Sequence, residues 1–145
     1  MERVTRCIIK NKKWEILLIK HKWKDSRVLP GWHIEKKENI YSAIKREIKE
    51  ELGVNIKILW RKLWLEVEWL KEKPLPISIY KLDYKNKKGK KVSRLEYIFY
   101  AIIKDEIITT QIEEVEEYKW FNKDEIEKIE NIFDYIKALV KIISN

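Results

Sequence analysis

The stretch from Leu29 to Val54, LPGWHIEKKENIYSAIKREIKEELGV, constrains this chain more than any other. Asn39 can cap a helix that runs to about Leu52, and Gly53 stands where a left-handed residue commonly ends one. At about 100° per residue, Ile40, Ile44, Ile48 and Leu52 make one apolar stripe. Glu51 falls between Ile40 and Ile44 on that wheel and so faces inward. Glu47 lies one turn behind it, and Glu50 is a near neighbour. Two carboxylates in the last turn oppose the helix dipole, and the Glu47/Glu51 pair repels across one turn. Each effect costs about 0.3–1 kcal/mol, so the helix conflicts with itself unless a cation arrives. A hard divalent cation, which takes oxygen ligands, removes the conflict.

The same residues carry a resemblance. The Nudix hydrolase signature reads G-x5-E-x7-R-E-U-x-E-E-x-G-U, where U is aliphatic. Glu38, Arg46, Glu47, Ile48, Glu50, Glu51, Gly53 and Val54 match it in register. The departure is the first position, where the family has glycine and this chain has Trp32. Pro30-Gly31 and Glu35 are also similar to the usual start of that box.

At 145 residues a single domain spanning 1–145 is expected, large enough to bury about 68–70% of its unfolded surface. A hydrophobic fraction of 45% with seven tryptophans argues for a packed core and against disorder. No run of 18 apolar residues occurs, and the start MERVTRCIIK lacks the layout of a secretory signal, so a soluble cytoplasmic protein without a membrane partner is expected. Cys7 is the only cysteine, which excludes an intrachain disulfide and a Cys-based zinc site. The net charge of +8 suits polyanionic partners: nucleotides, polyphosphates or RNA.

Along the chain, residues 3–10 and 14–20 read as strands joined by Asn11-Lys12-Lys13. After the helix, Ile56, Ile58 and Trp60 alternate on one face. Leu63, Leu65, Val67 and Trp69 alternate in the opposite phase, which predicts a strand with a bulge near Arg61-Lys62. Strands at about 77–84 and 92–103 flank the basic run KNKKGKK, with Gly89 for the turn. An acidic loop from Gln111 to Glu117 precedes a short strand at 118–121. Asn122 and Glu125 form a capping-box pattern, and Ile132, Phe133, Ile136, Val140 and Ile143 mark a final amphipathic helix. The order β-β-β-α-β-β-β-β-α predicts an α/β protein with a mixed sheet between helices. Trp14, Trp23, Trp60, Trp64, Trp69 and Trp120 are mostly at strand spacing and are expected in the core, with one or two free to stack on a base.

The resemblance implies the Nudix fold, an α/β/α sandwich, over nearly the whole chain. It also implies hydrolysis of a nucleoside diphosphate linked to another moiety, with Mg²⁺ or Mn²⁺ as cofactor. Carried over, Glu47, Glu50 and Glu51 become metal ligands, with the Gly31 carbonyl as a further one. Glu47 is then a candidate to activate water, and Arg46 holds a box carboxylate by a bidentate pair. Glu35 and Glu38 become loop-fastening acids. Of Glu113, Glu114, Glu116 and Glu117, Glu114 is the choice for a further catalytic acid, against the reading of a solvated acidic loop. Trp32 and His33 are candidates for substrate binding. The ring of Trp32 is expected on the nucleotide side of the cleft, against the alternative that it packs outward or into the core. His21 and His33 lack a second imidazole at metal spacing and also fit surface positions.

The function expected is a Mg²⁺-dependent pyrophosphohydrolase (a pyrophosphatase) acting on nucleoside triphosphates or nucleoside diphosphate derivatives, in the manner of a pool-sanitising enzyme. Two alternatives stand beside it. One is removal of a cap or 5′-phosphate from RNA, motivated by the charge and by KNKKGKK. The other is a nucleotide-binding module whose site Trp32 has compromised. The oligomeric state is open, a homodimer included.

Overall fold

The computed structural model describes residues 1–104, 107–110 and 113–144. Gln111, the start of the expected acidic loop, lies outside them. In chain order the elements are β1 (Glu2–Ile9), β2 (Ile16–His21), β3 (Arg27–Val28), α1 (Ile40–Leu52), β4 (Ile56–Leu59), β5 (Ser78–Lys85), β6 (Lys91–Ile103), β7 (Val115–Phe121), α2 (Lys123–Lys128) and α3 (Asp134–Ile143). The long strand β6 runs parallel to β1, from Glu2 beside Arg94 to Ile9 beside Ala101. Along its other edge β5 and β4 lie end to end, both antiparallel to it. A second sheet has the order β3-β2-β7, all antiparallel. The result is a mixed α/β arrangement, with α1 on one side of the strands and α2 and α3 on the other.

Strand alternation sorts the side chains into two cores. Cys7, Ile9, Leu17, Ile19 and Phe99 point to the side of α1 and meet Ile44, Ile48 and Leu52. Their neighbours Ile8, Ile16, Leu18 and Ile98 point the other way, to Ile126, Ile136 and Val140 of α2 and α3. Ile44, Ile48 and Leu52 are fully buried, each a contribution of about 1.5–3 kcal/mol, so the rotation of α1 about its axis is fixed. Its ends are fixed too. The Asn39 side chain accepts from the Ser42 amide at 2.8 Å, and Gly53 closes the helix at φ 68°.

Three expectations need correction, the briefest being that Ile132 and Phe133 precede α3 rather than belong to its buried stripe, Phe133 being exposed. No strand forms at 63–69; the whole of 60–77 is a loop. Its carboxylate Glu72 accepts from the amides of Leu63, Trp64 and Leu65, and Tyr41 donates to the Pro74 carbonyl at 2.7 Å. The reason is topological: β4 and β5 already occupy the edge of β6 that such a strand would need. The tryptophans are the third correction. Trp14, Trp60, Trp64, Trp23 (92% exposed) and Trp69 (84%) all lie on the surface, and only Trp120 packs against a core. Trp14, Trp23, Trp60 and Trp64 have positive φ, so they occupy turns rather than strands.

Candidate active site

Because the apolar stripe fixes the rotation of α1, Glu51 and Glu47 are carried inward with it. Glu51 is only 3% exposed. Its Oε1 accepts from the Gly31 amide at 2.7 Å, and its Oε2 lies 3.6 Å from His21 Nε2. Burial pushes the Glu51 carboxyl up to about 8, against the pull of the Gly31 N–H and with help from the charge of Glu47. Burial also raises Glu47, and burial lowers His21, so at neutral pH the imidazole brings no charge to offset Glu51.

The segment before α1 runs along the free edge of β1. Thr5 N–H donates to the Trp32 carbonyl at 3.0 Å, Cys7 N–H to Pro30 at 2.9 Å, and Ile34 N–H to Arg3 at 2.9 Å. This pairing presses Gly31 (φ 125°) onto β1, where a Cβ would sit 2.1 Å from the Thr5 carbonyl oxygen. The position that demands glycine is therefore Gly31. Trp32 keeps a negative φ.

Arg46 ties the loop to the helix. It grips Glu38 with two parallel bonds of 2.8 and 3.0 Å, reaches Glu47 at 2.9 Å and both oxygens of Glu50 at 3.3 Å, and donates to the His33 carbonyl at 3.1 Å. That grip holds the Glu38 carboxyl below its ordinary range. Glu38 in turn accepts from the Glu35 amide at 3.0 Å, while the Glu35 carboxylate stays 3.8 Å from Arg46.

Glu47 and Glu51 open onto a cleft of about 410 Å³, and Glu114 reaches it from the turn before β7. The Glu114 carbonyl accepts from the Lys22 amide at 3.0 Å and lies 3.3 Å from His21 Nδ1, which fixes the turn. Glu116 and Glu117 are directed away, to Lys20 and Arg27. The same cleft is lined by Arg6, Lys24 and Arg94 and by the rings of Trp23, Trp32 and Phe133. Glu50 is turned to Arg46, and His33 pairs with Glu2 at 2.8 Å outside this cleft.

Sequence reasoning missed the cationic lining. Arg6 binds fully buried Glu96 at 2.8 Å and the Leu29 carbonyl at 3.0 Å, and Arg94 binds the other oxygen of Glu96 at 3.1 Å. Two guanidinium groups share one carboxylate, so positive charge remains at the cleft. The readable signal was an arginine inside the apolar run VTRCII, a position that requires a buried partner. His21, read as a surface residue, stands against Glu51 instead.

Among the described residues, no three His, Cys, Asp or Glu side chains converge on one point as a preformed metal cage. The donors nevertheless fit a hard divalent cation. They are oxygen-only, and Glu51 is a buried carboxyl, the group that gains most from a cation.

The sequence model of the NUDIX domain matches residues 2–140. No curated protein sequence matches the chain. Among solved structures, a NUDIX-family hydrolase from Clostridium perfringens is 22% identical with a TM-score of 0.74, over 97% of this chain and 94% of that one. A MutT protein from Bacillus halodurans is 24% identical with a TM-score of 0.71, over 97% and 80%. An Ap4A hydrolase from C. elegans, solved as a binary complex, is 19% identical with a TM-score of 0.68, over 99% and 96%.

Proposed function

This chain belongs to the NUDIX domain family and is a pyrophosphohydrolase, and from that premise we propose that it cleaves a phosphoanhydride of nucleoside triphosphates or related nucleoside diphosphate derivatives with Mg²⁺ or Mn²⁺. The observation that carries the reading is that one cleft is lined by both carboxylates (Glu47, Glu51, Glu114) and cations (Arg6, Lys24, Arg94), together with aromatic rings. A polyphosphate suits such a lining, and a base finds a stacking partner in it. Glu47 and Glu51, with Glu50 once free of Arg46, would hold the cation. When bound, it supplies neutralisation of the polyphosphate and activation of water.

The chain's own residues do the rest. Gly31 N–H orients Glu51, and Arg46 sets Glu47 and the loop that carries Glu38. Arg6 and Arg94, held by Glu96, present charge to phosphate oxygens without having to reorganise. Glu47, its carboxyl raised by burial, is the candidate to take a proton from attacking water. Pool sanitation is carried as part of the same proposal; a MutT protein is among the structures that share the fold.

A panel of nucleotides with Mg²⁺, reading released pyrophosphate, phosphate and nucleotide, tests the proposal. Release is expected from at least one nucleotide and should stop in excess chelator after dialysis. No release from any member, or undiminished turnover in chelator, overturns it.

A further inference from the structure

The cleft of about 410 Å³ has a neighbour, a more open hollow of about 640 Å³ lined by Glu2, His33, Lys36 and Tyr84. Trp32 belongs to the lining of both. Its indole stands between them, at the position where a glycine would leave no side chain. A partition limits a ligand only if it is held in place, and this one is held from several directions.

The Arg94 guanidinium lies 5.6 Å from the Trp32 ring and 5.2 Å from the Tyr84 ring, between the two aromatics. Tyr84 donates to Glu2 at 2.5 Å, Glu2 meets His33 Nε2 at 2.8 Å, and the His33 ring lies 4.3 Å from that of Trp32. The contacts close on themselves: Trp32, Arg94, Tyr84, Glu2, His33 and back to Trp32. Arg94 is anchored further by fully buried Glu96. Arg6, on the same carboxylate, lies 5.2 Å from the indole. The backbone is pinned as well, since the Trp32 carbonyl accepts from Thr5.

We infer that Trp32 is a specificity-determining wall that confines the substrate to one nucleoside by closing the passage from the catalytic cleft into the second hollow. The inference rests on the reading of the cleft as a nucleoside-polyphosphate site. A ligand with a single nucleoside ends at the indole. A dinucleoside polyphosphate, with the same anhydride chemistry and a second nucleoside, requires the space beyond it. Removing the ring joins the two hollows, and Lys36 and Tyr84 line the space that the added nucleoside would enter. Because Trp32 has a negative φ, alanine is accommodated there as readily as glycine.

The test is the ratio of affinities for two non-hydrolysable methylene analogues, one of a nucleoside triphosphate and one of a dinucleoside tetraphosphate. It is measured by titration calorimetry with Mg²⁺ for the parent, Trp32→Gly, Trp32→Ala and Trp32→Phe. Each protein's mononucleotide affinity is its own reference, so a general loss of binding does not disturb the ratio. The ratio should move toward the larger ligand by at least tenfold in the glycine and alanine variants and by less in the phenylalanine variant. If one variant fails to fold, the other two still decide. A ratio that stays within tenfold of the parent's in both truncations, or absence of binding by either analogue to any of the proteins, overturns the wall. Turnover of the parent on the hydrolysable substrates reads the hydrolase proposal separately. An inactive parent whose affinity ratio still responds to position 32 would sink that proposal and leave the wall standing.

Discussion

Replacing Glu51 by glutamine should stabilise the metal-free protein while disabling it. The side chain keeps its shape and its oxygen acceptor for Gly31 N–H, and loses only the charge. The magnitude follows from burial. A carboxyl that titrates at 4.5 in the unfolded chain and at about 8 in the fold takes up a proton on folding throughout the interval between. Stability is therefore intact below pH 4.5, falls as pH rises, and levels off above pH 8. At about 1.4 kcal/mol per pH unit, the penalty is about 3 kcal/mol at pH 7 and about 5 kcal/mol above pH 8. The dipole and the Glu47 repulsion alone, as the sequence suggests them, would give only about 0.5–1 kcal/mol. Urea melts of parent and Glu51→Gln in chelator, at pH 4.5, 7 and 8.5, measure the difference. It should grow from near zero to these values, with the variant the more stable. Turnover with Mg²⁺ should fall at least a hundredfold, and most of the metal-induced rise in Tm should vanish. A difference that does not change with pH, or a variant less stable than the parent at pH 7, refutes the reasoning.

Three further outcomes are expected. Gly31→Ala forces a Cβ to within 2.1 Å of the Thr5 carbonyl and should cost about 3 kcal/mol or more, seen as a large drop in Tm; a change under about 1 kcal/mol would show the loop free to shift. Arg46→Lys removes the fork on Glu38 and should lower turnover about tenfold or more, while costing only about 1 kcal/mol in melts because the network is partly solvated; unaltered kinetics would mean the acids are positioned without it. Replacing Lys87, Lys88, Lys90 and Lys91 by Gln at the β5–β6 tip should leave mononucleotide hydrolysis within twofold, and should flatten the salt dependence of any RNA binding by about 0.7 per lost phosphate contact; an unaltered slope removes the tip as an RNA site.

Features that depend on a few consecutive residues were legible in the sequence. The caps of α1, the inward face of Glu51, the turn at Gly89 and the Asn122/Glu125 capping box all follow from local spacing. Features that depend on which edge is free were not. Alternation at 63–69 says that a segment could pair, but not that β4 and β5 leave it no partner. The Arg6–Glu96 pair joins β1 to β6 across 90 positions, so neither residue alone reveals the other. The tryptophans misled because aromatic composition argues for a core, whereas here positive φ places four of them in turns. Trp32 is the reverse case: its departure from the glycine pattern was visible, but apart from adjacent His33 the neighbours that hold it come from three distant strands, β1, β5 and β6.

The pairing of β1 with β6 and of β2 with β7 sets the order in which the chain can fold. Glu2 lies beside Arg94 and Ile16 beside Phe121, so the first two strands leave the ribosome long before either neighbour has been made. Ile8 and Leu18, fully buried in the fold, wait for most of their core partners until residue 98 and beyond have been made, whereas Ile9 and Leu17 can meet α1 earlier. β6 touches β1, β4 and β5 at once, and so is the element whose arrival repays the closure of the long loop. Such distant partners place this domain among slow folders, on a scale of milliseconds to seconds. Synthesis thus leaves the two N-terminal strands waiting for partners made much later, β6 for the first and β7 for the second.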